Sequence, residues 1–392
     1  PDVWAAIAPV CAAALPAWQE LAPNALNIAV HLFHGAADTV VPVDVSRQWH
    51  KDLAGLGTRV EYIEYPGVAH NSWDRAYKDA SIFQWFEQHR RNRFPDRVRY
   101  TTRQYKYRSA YWVEIDGLTP GAPASIDARI TAGNRIAAET KGLNGFTLNL
   151  GGHPRVAAAQ PLIVSVDGTE IKGKTAAGVV SFVQTAKGWQ AGRYTPPPAS
   201  KRPGAEGPIA EAVAGRHVYV YGTADSPGEE ELRRRREQAQ FAANWSGQRP
   251  PLTLYLRVMA DRDVTEAALR GANLVLFGTR ETNSMIARYA GRLPMELNAG
   301  AADYGLFFVT HLDGRYLLVN SGLSWWTGAD QAKRFIFRFL PPPFRLLSSF
   351  GDYVLFRGSL ANPVAEGRFD LDWKLAAAER EKMAATGALR IR

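Results

Sequence analysis

Cysteine is almost absent: Cys11 is the only one in 392 residues. A single thiol excludes an internal disulfide framework and any cysteine-based metal cluster. It lies in an apolar segment and is read as a small buried hydrophobe. Zinc pairing is missing as well. His50, His89, His153, His217 and His311 are scattered and form no H-x-x-x-H or H-E-x-x-H pair, so no metal is expected. No apolar run reaches the length of a membrane span, and no secretory signal heads the sequence. Internal repeats and low-complexity tracts are lacking too. Charge is not scarce, at a formal +9, which raises nucleic acid as a partner. Yet the arginines of 233–236 follow Glu229-Glu230-Glu231, the pattern of a solvated helix with i,i+4 ion pairs. No recognition motif accompanies the charge, so nucleic-acid binding is set aside.

Apolar content of 46% and charged content of 22% are those of a globular chain, and the length asks for two or three domains. Residues 1 to about 95 alternate strand-like and helix-like segments. Asn27 to Phe33 and Val60 to Tyr65 are apolar runs. Val45, Trp49, Leu53 and Leu56 fall at helical spacing between them. Such alternation implies a parallel sheet. From 96 to 192 short strands follow one another, separated by turn chemistry such as Asn144-Gly145 and Asp167-Gly168, and predict a β-sandwich. Within it Arg99–Tyr107 reads as one strand. Pro196 to Pro198 reads as a linker. The α/β rhythm resumes over 200–392, with strands at His217–Gly222, Leu252–Val258 and Asn273–Gly278 and helices at Glu229–Ala243 and Asn283–Tyr289. The expected fold class is therefore α/β: a parallel sheet, a β-sandwich, then a second α/β domain.

Two loops carry the chemistry. HGAADTVVP spans His34 to Pro42, and YPGVAHNSW spans Tyr65 to Trp73. Each ends a strand-like run, so both lie at carboxyl ends of neighbouring parallel strands, where substrates reach open α/β sheets. One presents a carboxylate, Asp38, and the other an imidazole, His70. Acyl transfer by serine needs an imidazole as proton shuttle, with a carboxylate fixing its tautomer. The α/β-hydrolase chain order is nucleophile, acid, base, which these loops follow. The competing reading, a turn-capping aspartate and a surface histidine, explains either loop alone but not the ordered pair.

H-G-x-x-D-x-x-V-P and G-x-x-H resemble the α/β-hydrolase superfamily, in its dienelactone-hydrolase and prolyl-oligopeptidase-like esterase branch. The H-N-S-W-D of His70 to Asp74 is similar to large secreted bacterial esterases or peptidases of that branch. Lys201 to Gly204, Gly207-Pro208-Ile209 and the NLVLFGTRETN of 273–283 look like their C-terminal domain. The resemblance implies Asp38 as triad acid and His70 as general base. Trp73 is read either as a wall of the acyl pocket beside His70 or as packing for the following helix, and Asn71 is taken with it as substrate-binding. It implies a small ester or peptide substrate, no cofactor, and a secreted or periplasmic full-length protein. It places residues 1–95 as the C-terminal portion of the hydrolase domain. No G-x-S-x-G occurs in the sequence, and Gly322-Leu323-Ser324-Trp325-Trp326 fails its spacing. The serine is thus expected upstream of Pro1, with residues 1–392 nearly inert alone. Esterase and oligopeptidase both stay open, as does the oligomeric state.

Other residues are read structurally. Asp44 sits where a helix N-terminus favours a carboxylate. Gly278 to Asn283 is read as an ordinary βα loop with Thr282 capping the following helix, a cradle of backbone amides for an anion being the other reading. Trp325-Trp326, with Tyr316 and Phe335, is read as core, with a face towards a carbohydrate or towards the hydrolase domain as the other readings. A second class of function also stays open: a non-catalytic carbohydrate-binding or scaffold protein retaining a degenerate hydrolase remnant.

Overall fold

The computed structural model describes residues 2–13, 18–157, 160–173, 178–246, 254–332 and 342–392; Phe335 and the start of the expected strand at Leu252 lie outside them. The chain forms two compact units, Pro1–Pro196 and Pro197–Arg392.

Unit 1 begins with three parallel strands in the order β1 (Ala6–Ile7), β2 (Ala29–Gly35), β3 (Val60–Tyr65). The run AVHLFHG of β2 is buried from end to end, as a central parallel strand covered on both faces must be. Strand alternation divides its side chains. Val30 and Leu32 pack with Leu53 and Trp49 of a helix, α1 (Asp44–Gly55). Phe33 packs on the other side with Ala76 and Ile82, from α2 (Trp73–Ala76) and α3 (Ser81–Glu87). Burying one such aliphatic side chain contributes about 1.5–3 kcal/mol. Asp44 is the first residue of α1 and pairs with Arg47 at 2.8 Å rather than capping the helix.

Two five-stranded sheets complete the unit. One consists of β4 (Arg97–Thr102), β7 (Ala124–Ala132), β8 (Arg135–Lys141), β10 (Leu162–Val166) and β11 (Thr169–Gly173). The other consists of β5 (Ser109–Ala110), β6 (Val113–Leu118), β9 (Leu143–Asn149), β12 (Val179–Thr185) and β13 (Gly188–Ala191). Alternate residues of both, among them Ile126 and Val164 from the first and Ile115 and Phe146 from the second, close one core, as stacked sheets do. The strand expected over Arg99–Tyr107 stops at Thr102. Tyr105 instead turns inward, its hydroxyl bonded to both the carbonyl and the amide of Leu118. Inside unit 1 the Asn24 amide exchanges two hydrogen bonds with the Thr101 backbone, at 2.8 and 2.7 Å, in the manner of a strand neighbour.

Unit 2 is built on a seven-stranded mixed sheet. Its strands are β14 (His217–Tyr221), β15 (Val258–Ala260), β16 (Asn273–Phe277), β18 (Tyr304–Leu312), β19 (Arg315–Gly322), β20 (Tyr353–Arg357) and β21 (Pro363–Gly367), with β17 (Met295–Leu297) pairing separately with β22 (Leu389–Ile391). The spatial order is β15-β14-β16-β19-β18-β20-β21, parallel as far as β19 and antiparallel beyond. Helix α4 (Glu229–Ala243) connects β14 to β15 and buries only Ala239, Ala242 and Ala243. Arg233, Arg234 and Arg235 each face an acid of the same helix, and Arg235 also pairs with Asp225 just before it, at 2.7 Å. Among the described residues no helix is long and apolar enough to cross a membrane.

Candidate active site

The site forms where β2 and β3 end together. Gly35 pairs with Tyr65 in register, so the two following loops leave the sheet side by side. They then interlock: the Ala36 amide donates to the Tyr65 carbonyl and the Ala37 amide to the Val68 carbonyl, both at 2.9 Å. Gly35 is what permits this. A Cβ there would lie 2.2 Å from the Ala69 carbonyl oxygen and 2.3 Å from that of Val68. The loop carrying the imidazole crosses directly over a residue that has no side chain.

His70 Nδ1 lies 2.9 Å from Asp38 Oδ2. Asp38 Oδ1 accepts the amides of Val40 and Val41, at 2.8 and 2.9 Å, an Asx-type turn that orients the carboxylate. The Asp38 side chain is fully buried, whereas that of His70 is 36% exposed. Burial alone would push the Asp38 carboxyl up, but the His70 hydrogen bond and the Val41 and Val40 amides outweigh it and hold the group well below the usual carboxylate range. Asp38 therefore stays ionised. A carboxylate at Nδ1 places the proton of neutral His70 on that nitrogen and leaves Nε2 as the basic one.

Four residues given no site role from the sequence, His34, Ser46, Cys11 and Ser72, support this pair. His34 Nε2 is 2.9 Å from the Val41 carbonyl, which only accepts, so that nitrogen carries a proton. The same N–H lies 3.2 Å from Asp38 Oδ2. His34 Nδ1 then accepts from Ser46 Oγ of α1, at 2.7 Å. From below, the Cys11 thiol donates to the His70 carbonyl at 3.1 Å, and the Ser72 hydroxyl lies 2.8 Å from the sulfur. Cys11 is thus buried, as a hydrophobe would be, yet its thiol fastens the His70 loop. Ligand atoms of Cys11, His34 and Asp38 lie within 4.8 Å of one another. The protonated Nε2 of His34 turns this cluster into a hydrogen-bonded one. The H-x-x-x-D spacing of His34 and Asp38 was the one sequence signal for it.

Trp73 packs edge-on against His70, with ring centroids 5.6 Å apart, and is 43% exposed. Asn71 turns aside, its amide donating to Asp74 Oδ2 at 3.1 Å.

A buried carboxylate holds a part-exposed imidazole at the carboxyl rim of a parallel sheet, a geometry that can shuttle a proton. Residues 4–84 match the sequence model of the phospholipase/carboxylesterase family, so this part of the chain is similar to esterase-like α/β-hydrolases. Among solved structures, a crystal structure of a thermostable esterase is similar at 31% identity and a TM-score of 0.20, covering 22% of this chain and 24% of that one. A crystal structure of esterase PE8 is similar at 23% identity and a TM-score of 0.17, covering 21% of this chain and 39% of that one. The chain therefore spans less than half the length of either. No curated protein matches it.

Proposed function

We propose that Asp38 and His70 are the acid and base of a Ser-Asp-His triad that hydrolyses a small ester. The serine stands on an elbow preceding Pro1 in sequence. The observation that carries the reading is the 2.9 Å contact between His70 Nδ1 and the buried Asp38 carboxylate. With Nδ1 so engaged, Nε2 removes the proton from the serine hydroxyl as its oxygen attacks the ester carbonyl. The imidazolium that forms is stabilised by Asp38, whose ionisation the Val40 and Val41 amides protect. His70 then passes that proton to the departing alkoxide. Water attacks the acyl-serine by the same route in reverse. Trp73 forms one wall of the substrate site. The phospholipase/carboxylesterase match over residues 4–84 supports an ester over a peptide.

A fluorophosphonate probe tests this directly. It is expected to label the protein that includes the preceding elbow, to leave a His70→Ala variant of it unlabelled, and to leave residues 1–392 unlabelled on their own. Equal labelling of wild type and His70→Ala would overturn the triad. Labelling of residues 1–392 alone would overturn the placement of the serine.

A further inference from the structure

The parallel half of the unit 2 sheet carries a separate crevice. Strand β14 lies between β15 and β16, so the chain leaves β14 towards one side and returns past it to the other. Right-handed crossovers then put the connecting segments on opposite faces, and the loops beyond the strands part at that switch point. A cavity of about 770 Å³ opens there, walled by α4 and by the loops that follow β16 and β19.

Nucleotides and other phosphates are the usual occupants of such a crevice, because free backbone amides await them. Here the amides are already taken. Asp261, at the end of β15 and buried, accepts the Thr223 amide and hydroxyl at 2.8 and 2.6 Å, the Arg262 amide at 2.9 Å and the Ser284 amide at 2.6 Å. Thr279 N donates to Thr282 Oγ1. Asn283, not Thr282, caps the following helix (Ser284–Tyr289) by accepting the amides of Met285 and Ile286. The chain supplies its own carboxylate where a phosphate would sit.

The remaining wall is neutral in sum. Glu231 pairs with both Arg234 and Arg235, and Glu237 lies 3.9 Å from Arg233. What faces the cavity without such a partner charge is an aromatic corner with amides and hydroxyls around it. Phe241 is 51% exposed and meets half-buried Trp326 at a centroid distance of 5.4 Å. Gln238, Asn298, Thr279 and Ser324 surround them, with Gln238 Nε2 donating to Ser324 Oγ at 2.7 Å. An exposed Phe241 ring and a half-buried Trp326 ring beside uncharged donors and acceptors suit one class of ligand: a ring with apolar C–H faces and hydroxyls at its edge.

We infer that this crevice binds a neutral saccharide, stacked on Phe241 and Trp326 and hydrogen-bonded to the amide oxygens of Gln238 and Asn298, whose nitrogens already donate to Ser324 Oγ and the Gly387 carbonyl at 2.7 and 2.9 Å. The site is distinct from His70 and does not rest on the hydrolase reading.

Titration of the 392-residue chain with xylotriose, cellotriose and maltotriose, followed by tryptophan fluorescence and calorimetry, tests it, with ADP as the charged control. At least one trisaccharide is expected to bind saturably. Its affinity should fall about tenfold in Phe241→Ala, the loss of one stacking ring, and fall measurably in Gln238→Ala. Phe241 is largely exposed, so that variant keeps the fold, which circular dichroism checks. Binding should be unchanged in His70→Ala, which separates this site from the proposed triad. No saturable binding of any of the three up to roughly ten millimolar would overturn the proposal. So would unchanged binding in both variants, or a preference for ADP.

Discussion

Each unit holds a buried carboxylate against a nitrogen base, and the two pairs differ in how far water reaches them. In unit 1, Asp38 holds His70, whose ring is 36% exposed. In unit 2, Asp352 Oδ2 holds Lys201 Nζ at 2.5 Å, and both side chains are fully buried. Lys201 also donates to the Phe369 carbonyl at 2.7 Å and lies 5.0 Å over the Trp373 ring. Burial pushes the Lys201 ammonium pKa down, with Asp352 opposing. Even the backbone closes on this pair: a Cβ at Gly207, whose φ is +74°, would stand 2.2 Å from Asp352 Oδ1. Similar bonding thus has opposite consequences. A pair open on one side can pass a proton to a visitor. A sealed pair can only hold the fold, because removing one member strands the other charge away from water.

The largest expected effect tests the open pair. In the protein that includes its elbow, His70→Ala should lower kcat on p-nitrophenyl acetate by about a millionfold and Asp38→Asn by roughly ten-thousandfold. In urea unfolding His70→Ala should cost less than Lys201→Met, because the Val40 and Val41 amides and His34 still hold Asp38. A loss of only tenfold in either variant would reduce the open pair to a structural one. The sealed pair should behave in reverse. Lys201→Met is expected to cost about 3–5 kcal/mol in urea unfolding while leaving kcat of the folded enzyme intact.

A smaller effect follows from the Asp38 carboxyl, which is held below its ordinary value. A depressed carboxylate contributes stability above its unfolded value, near 4, and loses that contribution as pH falls towards the folded value. The stability gap between wild type and Asp38→Asn should therefore be flat from about pH 5 to 8, at roughly 1.5–3 kcal/mol for hydrogen bonds to a charge, and shrink below about pH 4. A gap that widens in acid would contradict the assignment.

What was legible in the sequence was local. His34-Gly35 ending an apolar run, Asp38 in a turn and Pro66-Gly67 before His70 announce strand-end loops through backbone chemistry alone. Glu229-Glu230-Glu231 followed by four arginines announced α4 in the same way. The rest depends on which strands lie beside each other. His34 reaches Asp38 because the Val41 carbonyl fixes its proton on Nε2, with Ser46 of α1 serving the other nitrogen. Cys11 meets the His70 loop because β1 lies next to β2. The parallel pairing of β8 with β10 left no mark in turn residues. Asp261 meets Thr223 and Ser284 across segments that periodicity reads one at a time, so the filled anion seat could not be foreseen. Trp326 could be read only as one of two neighbouring tryptophans, and the structure separates them: Trp325 is fully buried while Trp326 borders a cavity.

The smallest expected effect is the sharpest test of why the sealed pair differs. If Lys201→Met is costly because it strands the Asp352 charge, removing that charge as well should restore most of the loss. Asp352→Asn keeps an oxygen for the Phe369 amide, which Oδ2 now accepts at 3.0 Å, and fits the same space beside Gly207. The double variant Lys201→Met, Asp352→Asn is therefore expected within about 1–2 kcal/mol of wild type, since a buried ion pair roughly balances its own desolvation. In urea unfolding its coupling energy should approach the cost of the single lysine change. Additive losses would mean that Lys201 stabilises unit 2 by its packing over Trp373 and its bond to the Phe369 carbonyl. The contrast with Asp38 and His70 would then rest on shape rather than on charge.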